Sequence, residues 1–412
     1  MTKRTDETSE QSTTPQRREP LLWILCAAAA LIFFQGYMIA PLLPRLAEVF
    51  QVPEQQIGLI VPAYMIAYGI STLIYGLLSD RLGRGRIIRF SLLAFIILTV
   101  LTATAQSASQ MIIWRLLTGL GASGVVPMSL ALVGDLFPPD QRGRPLGLLF
   151  AAMEGGMAFG STIGAILEPF VGWRMLFIGT AVLTVGVFGL LLRFGSLPEA
   201  SSSRSLPSLQ SVFLGYRNLL ATKRGFRTYC YVFWNGIFHS GVYTWLGLYF
   251  TQRYNLGEIG IGLAILGYGV PGLLVGSMIG RAADRWGRKW LIAPGLGVAA
   301  LGIALLIPQV PLLVAVVAVT IISLGYALTQ PLFAGIVTEL GGKQQGGQAM
   351  GLNVSALFIG FGVGSFLFGE ALIWGFSSAL AIFTAVQVLA TIVAIPLFRS
   401  EERKRKPGKL LT

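Results

Sequence analysis

The chain has 412 residues, of which 54% are hydrophobic and only 12% charged, with 51 glycines and a formal net charge of +13. This composition excludes an ordinary soluble domain and points to a polytopic membrane protein. The basic residues gather in alternate loops between apolar runs, so the positive charge marks membrane topology and not a nucleic-acid surface.

Residues 1–20 are polar and carry both signs of charge, and the first apolar run is too long and lacks the small-residue site of a cleavable signal. Runs long enough to cross the hydrocarbon, about 20 residues each, fall at 21–48, 55–79, 87–106, 109–136, 144–167, 174–194, 228–252, 258–281, 290–308, 312–338, 346–373 and 376–398. They predict an all-α integral membrane protein with twelve transmembrane spans. Its expected parts are an N-terminal segment 1–20, a six-helix bundle 21–194, a linker 195–227, a second bundle 228–398 and a basic tail 399–412. The serine-rich part of the linker cannot span, and Leu209 to Leu220 reads as an amphipathic segment. Arg84, Arg86, Arg89, Arg142, Arg144, Arg224, Arg288, Lys289 and the tail share one side, against Arg45, Arg174 and Arg253 on the other. The positive-inside rule then predicts a multi-pass protein of a bacterial inner or plasma membrane, with both termini cytoplasmic. Cys26 and Cys230 lie in apolar runs and predict neither a disulfide framework nor a metal site.

The second half repeats the first without a gap. Gly76, Asp80, Arg81, Gly83 and Arg84 return as Gly280, Asp284, Arg285, Gly287 and Arg288, each displaced by 204 positions. At the same offset Phe34 meets Phe238, Tyr64 meets Tyr268, Gly121 meets Gly325, Asp135 meets Glu339 and Gly160 meets Gly364. Parallel repeats of this kind, related by a pseudo-two-fold axis, are a mark of membrane carriers.

These residues resemble the major facilitator superfamily from Leu21 to about Arg399. The stretch Gly76 to Arg86 is similar to the family's loop between helices 2 and 3, and Arg115-Leu-Leu-Thr-Gly119 to the signature of its fourth helix, with Thr118 where glutamine is usual. Pro41-Leu-Leu-Pro44 resembles the first helix of the drug/proton antiporter branch. Gly156, Gly160 and Gly164 keep the spacing of the branch's fifth-helix motif, although Ser161 replaces proline and Ala165 replaces glycine. The resemblance implies two bundles around a central cavity lined by helices 1 and 7. It also implies conformational control by the charged loops, namely Gly76, Asp80, Arg81, Gly83, Arg84 and Asp135 with their repeats Gly280, Asp284, Arg285, Gly287, Arg288 and Glu339.

An ionisable group in the hydrocarbon costs at least ~3 kcal/mol on insertion scales and therefore needs a reason. Among 18 acidic residues only Glu154 falls near the middle of a span, and at ~1.5 Å per residue it lies roughly 15 Å deep. It is expected to couple protons, with His239, the only histidine, as the second candidate. Gln35, the repeat partner of His239, is expected to share a polar patch with both. Arg115 cannot lose its proton and must find carbonyls, a carboxylate, water or an anionic ligand. Tyr37, Tyr64, Phe238 and Tyr268 are expected in the substrate cavity with Phe34, Phe159, Phe233 and Trp234, alongside the polar Asn235, Gln330 and Asn353. Gly156, Gly160 and Gly164 are expected to let two helices approach closely.

Nothing in the sequence matches a phosphate loop, a zinc cluster or a nucleophile triad, so neither an enzyme nor a metal or cofactor is expected. The leading expectation is a monomeric, proton-coupled carrier that exports small amphipathic compounds or drugs by alternating access. The alternatives are a symporter or facilitator for an organic anion or sugar, with Arg115 holding the anion, and a lipid flippase on the same scaffold. The expected partners are the small-molecule substrate, protons and the bilayer.

Overall fold

The computed structural model describes residues 15–138, 141–194, 209–272, 287–342 and 345–401. Among them there are helices and no strands, as lipid demands, because a spanning segment must satisfy its backbone groups internally. Each of the twelve predicted runs carries a helix. The first four occupy Arg18–Phe50, Glu54–Gly76, Arg84–Ala103 and Ala108–Leu136, and the fifth and sixth together form Gly143–Phe194. The seventh is Lys223–Thr244 continued by Leu246–Tyr254. The eighth is Glu258–Gly272 within the described residues, and the last four are Lys289–Leu305, Leu312–Gly341, Gly346–Trp374 and Phe376–Leu397.

The helix limits differ from expectation in three places. The first helix begins at Pro15 and the seventh at Lys223, so each runs several residues into what hydropathy assigned to polar segments. Helicity needs only local backbone bonds, whereas hydropathy stops at the first charge. The fifth and sixth spans join directly, turning at Gly172 alone. The linker contains the helix Leu209–Ala221, which packs through Tyr216 and Leu219 on Tyr229, Val337 and Ala349. Cys26 is buried and Cys230 exposed, and both are free thiols.

Large apolar side chains such as Phe170, Val182, Leu183 and Leu313 point outward, the arrangement expected of a lipid-facing surface. Inside each half, glycines bring helices to backbone contact. A Cβ added at Gly156 or Gly160 would lie 2.3 or 2.4 Å from the carbonyl oxygens of Ala30 and Phe34, and one at Gly164 would lie 2.8 Å from Met38 Cβ. The repeat does the same, with Gly360 against Phe233 and Gly364 against Ile237. Gly83 and Gly287 turn the chain at φ 84° and 90°, a region that L side chains rarely adopt.

Glu19 pairs with Arg144 at 2.5 Å and Glu401 with Arg224 at 2.7 Å, so the first and last described stretches lie at the same end of the bundle as the turns before the fifth and seventh helices. The two halves meet along the second and eleventh spans, where Gly69 faces Ile359 and Gly362 faces Ile66. They also meet along the fifth and eighth, where Gly262 faces Ile166 and Gly269 faces Ala158. At the end away from the termini, Gly247 abuts Pro41 and Trp245 reaches across to Gly58. Trp245 stands at the break in the seventh span, its Nε1 donating to the Ser365 carbonyl at 2.9 Å. Its ring occupies the space that a Cβ would need at Gly58 of one half and Gly369 of the other, at 2.4 and 2.5 Å.

Candidate functional site

The polar side chains of the spans fall into three layers. At the end bearing the termini lie the charged turns. Arg84 is paired with Asp135 and also donates to the Ala131 carbonyl. Arg142 closes the fourth span by donating to the carbonyls of Gly134 at 2.5 Å and Phe137 at 2.9 Å. In the second half Arg288 pairs with Glu339 at 2.7 Å, and the pair is extended by Arg224, which bridges Glu339 and Glu401, each at 2.7 Å. Arg227 is a further partner of the buried Glu401. The expected roles of Asp80 and Arg81 fall on side chains outside those described, and Gly280, Asp284 and Arg285 lie outside the described residues. Among the described residues a Cβ at Gly76 would meet nothing within 4 Å.

The middle layer holds Glu154, Asn235, Gln330 and Asn353. Glu154 lies on the fifth span where it meets the eighth, and a Cβ added at Gly272 would sit 2.6 Å from its Oε2. The residue is partly buried and forms no ion pair among the described residues. Asn235 Nδ2 donates to Gln330 Oε1 at 3.2 Å and its Oδ1 accepts from Thr329 at 3.3 Å. Asn353 is buried, with its Nδ2 3.8 Å from the Met350 sulfur.

The third layer, nearer the distal end, separates the residues that the sequence placed in one patch. Gln35 turns to Arg115, whose Nη1 donates to its Oε1 at 2.8 Å, and Arg115 Nη2 reaches the Gly36 carbonyl at 3.3 Å. The guanidinium lies 4.2 Å from the ring centroid of Tyr64, a cation–π contact. His239 takes Tyr268 instead. The hydroxyl lies 2.7 Å from Nδ1 and 2.9 Å from Nε2, so it serves either tautomer of the imidazole. Tyr326 stacks on the imidazole at 3.8 Å.

Around this layer runs a wall of rings from both halves. Tyr68 stacks on Phe358 at 4.3 Å, Tyr37 leans on Tyr243 at 5.5 Å and meets Phe361 edge-on at 6.5 Å. The sequence reading missed Tyr68, Tyr243, Tyr326, Phe358 and Phe361. Tyr243 follows His239 and Tyr68 follows Tyr64 by four residues on one helix face, and Phe358 is the repeat partner of Glu154, so three of the five carried a usable signal. Phe238 is buried in the apolar core and enters none of these ring contacts, and Phe159 is exposed.

The arrangement offers an acid at the seam of the two bundles, a buried cation that meets no carboxylate among the described residues, and an aromatic wall drawn from both halves. A family model described as Major Facilitator Superfamily matches residues 25–364 and, in a second match, 249–411. The uncharacterised transporter YwfA of Bacillus subtilis (strain 168) is 27% identical over 90% of this chain and 89% of its own length. Multidrug resistance protein 3 of the same strain is 35% identical over 29% of this chain and 23% of its own length. Among solved structures, a bacterial homologue of the human lysosomal transporter Spinster, inward-facing and unoccupied, superposes with a TM-score of 0.77 at 16% identity, covering 95% of this chain and all of that one, 100%. A D-xylose–proton symporter gives 0.76 at 18% identity over 91% of this chain and 97% of its own.

Proposed function

The chain belongs to the major facilitator superfamily, and on that premise we propose that it is a proton-coupled carrier that exports small amphipathic compounds by alternating access. Membership makes it a multi-pass transporter of a small molecule, and not an enzyme. The observation that carries the proton coupling is Glu154, an acid at the seam between the halves with no cationic partner among the described residues. An unpaired carboxylate is costly while ionised in a closed seam and cheap once water reaches it, so its proton affinity changes with conformation. Motion of the bundles then converts that difference into coupling. Export of amphipathic compounds draws support from the aromatic wall and from the stretch shared with the multidrug resistance protein.

In this reading the closed distal end faces outward, both termini face the cytoplasm, and a monomer suffices. The basic turns at the terminus-bearing end support the orientation. A cysteine placed at Ser202 should be labelled only after the membrane is permeabilised, and labelling in intact cells overturns the topology.

The coupling is tested in proteoliposomes with Glu154→Gln. Inside-out vesicles screened for proton movement against a panel of drugs, sugars and organic anions first supply a substrate. The variant should still exchange that substrate across the membrane while losing accumulation driven by an imposed pH difference. Full accumulation against a gradient would place coupling elsewhere.

A further inference from the structure

Arg115 is completely buried, at 0% exposure. Within the described residues its charge is answered by one amide oxygen, one peptide carbonyl and one ring face, and by no carboxylate. Glu154 makes no ion pair with it. A buried cation held only by neutral groups is poorly compensated, because neutral dipoles replace the lost hydration incompletely.

The groups around it share one hydrogen-bonding character. Arg115 Nε, Gln35 Nε2 and the hydroxyls of Tyr64 and of Tyr68, whose ring centroid lies 6.0 Å from that of Tyr64, are all buried and find no partner among the described residues. Arginine and amide nitrogens can only donate, and the phenolic hydroxyls can donate as well. Four donors, one of them on the fixed positive charge itself, match a group that has several acceptor oxygens and a negative charge.

The cover of this cluster comes from the opposite half. Phe358 stacks on Tyr68 at 4.3 Å, and Tyr243 of the seventh span leans on Tyr37 at 5.5 Å. Separation of the halves therefore removes the lid while leaving Arg115, Gln35 and Tyr64 in place, because their mutual contacts lie within one bundle. The rings that form the lid also supply a surface for an apolar or aryl body next to the anion.

We propose that Arg115, Gln35, Tyr64 and Tyr68 form a subsite for the oxyanion of the transported compound, which makes the substrate an amphipathic organic anion. The proposal rests on the carrier reading for the word substrate, but the subsite itself is a binding property and is tested as one. The full chain in nanodiscs is titrated by calorimetry with benzoate, benzenesulfonate, phenyl phosphate, neutral benzamide and cationic benzyltrimethylammonium. These probes share a ring and differ in the head group, so the first three distinguish the kinds of oxyanion.

At least one oxyanion should bind at least tenfold more tightly than benzamide, with no binding of the cation at this site. Arg115→Gln should remove that preference. Since loss of a buried cation can also disturb folding, Gln35→Glu is the second variant: it sets a carboxylate against Arg115 and should fold while blocking the probes. Equal binding of benzamide, a preference for the cation, no binding of any oxyanion, or undiminished oxyanion binding by Gln35→Glu would each overturn the subsite. Flux of the same probes in proteoliposomes separates the two ideas. Oxyanion binding without flux leaves the subsite standing and counts against the carrier reading, whereas flux without head-group preference does the reverse.

Discussion

The two halves share their frame and differ in their chemistry. Gly83 and Gly287 adopt the same positive φ, Gly160 and Gly364 press against the same turn of the helix beside them, and Arg84 with Asp135 is matched by Arg288 with Glu339. Equivalence extends to single contacts. Gly119 sits against the Tyr64 carbonyl, and Ser323 at the repeat position donates to the carbonyl of Tyr268. Yet Gln35 serves a cation where His239 serves a phenol, and position 319, the counterpart of Arg115, is Val319. The seam differs as well: Tyr68 against Phe358 on one side becomes Gly272 against Glu154 on the other. Repetition preserved what builds the bundles, and the unlike pairs are where ion and substrate chemistry can reside.

The largest effect should fall on the shared frame. Gly160→Leu and Gly364→Leu would each drive a side chain into a carbonyl oxygen that a Cβ alone would approach to 2.4 and 2.0 Å, and helix backbones cannot yield that far without breaking their contact with each other. Both should abolish monodisperse protein on size exclusion, and a tolerant member of the pair would break the equivalence. Next come the unlike seams. Phe358→Leu should retain pH-driven accumulation in the assay that Glu154→Gln fails, and loss of coupling in both would deny the acid its special place.

A smaller difference is expected at the charged turns. Arg84 and Asp135 are a part-exposed pair, for which a double-mutant cycle in thermal unfolding should give ~0.5 kcal/mol. Arg224 with Glu401, whose carboxylate side chain is 4% exposed, should give more, roughly 1 kcal/mol, because the buried carboxylate is less screened by water, while Arg227 keeps it from being left unpaired. Equal coupling in the two halves would erase that contrast. His239→Gln should have the least effect on transport, since glutamine also accepts from the Tyr268 hydroxyl. Its uptake rate should stay close to the parent's, and a collapse comparable with Glu154→Gln would move the histidine into the coupling step.

The spans, the repeat and the turn glycines were legible because each follows from local rules: hydropathy over some 20 residues, a single offset, and backbone conformations open to glycine. The site was legible only as a set of unusual residues. Depth along a helix placed Glu154, Gln35 and His239 together, but rotation about the helix axis sends Gln35 to Arg115 and His239 to Tyr268. For Arg115 the sequence leaves open carbonyls, a carboxylate, water or an anionic ligand; among the described residues it meets the Gln35 amide and the Gly36 carbonyl, and its contact with the ring of Tyr64 has no sequence signal. Trp245 escaped notice because its importance comes from two glycines 187 and 124 positions away, at 58 and 369.

That indole has a practical consequence. Trp245 is 2% exposed and is clasped between residues of the two bundles. An indole in so dry a slot emits at short wavelength, and water reaching it shifts the emission to the red. Replacing the other seven of the eight tryptophans would leave a single native fluorophore at the distal closure, so the chain carries its own optical gauge of how often, and how fast, that end parts.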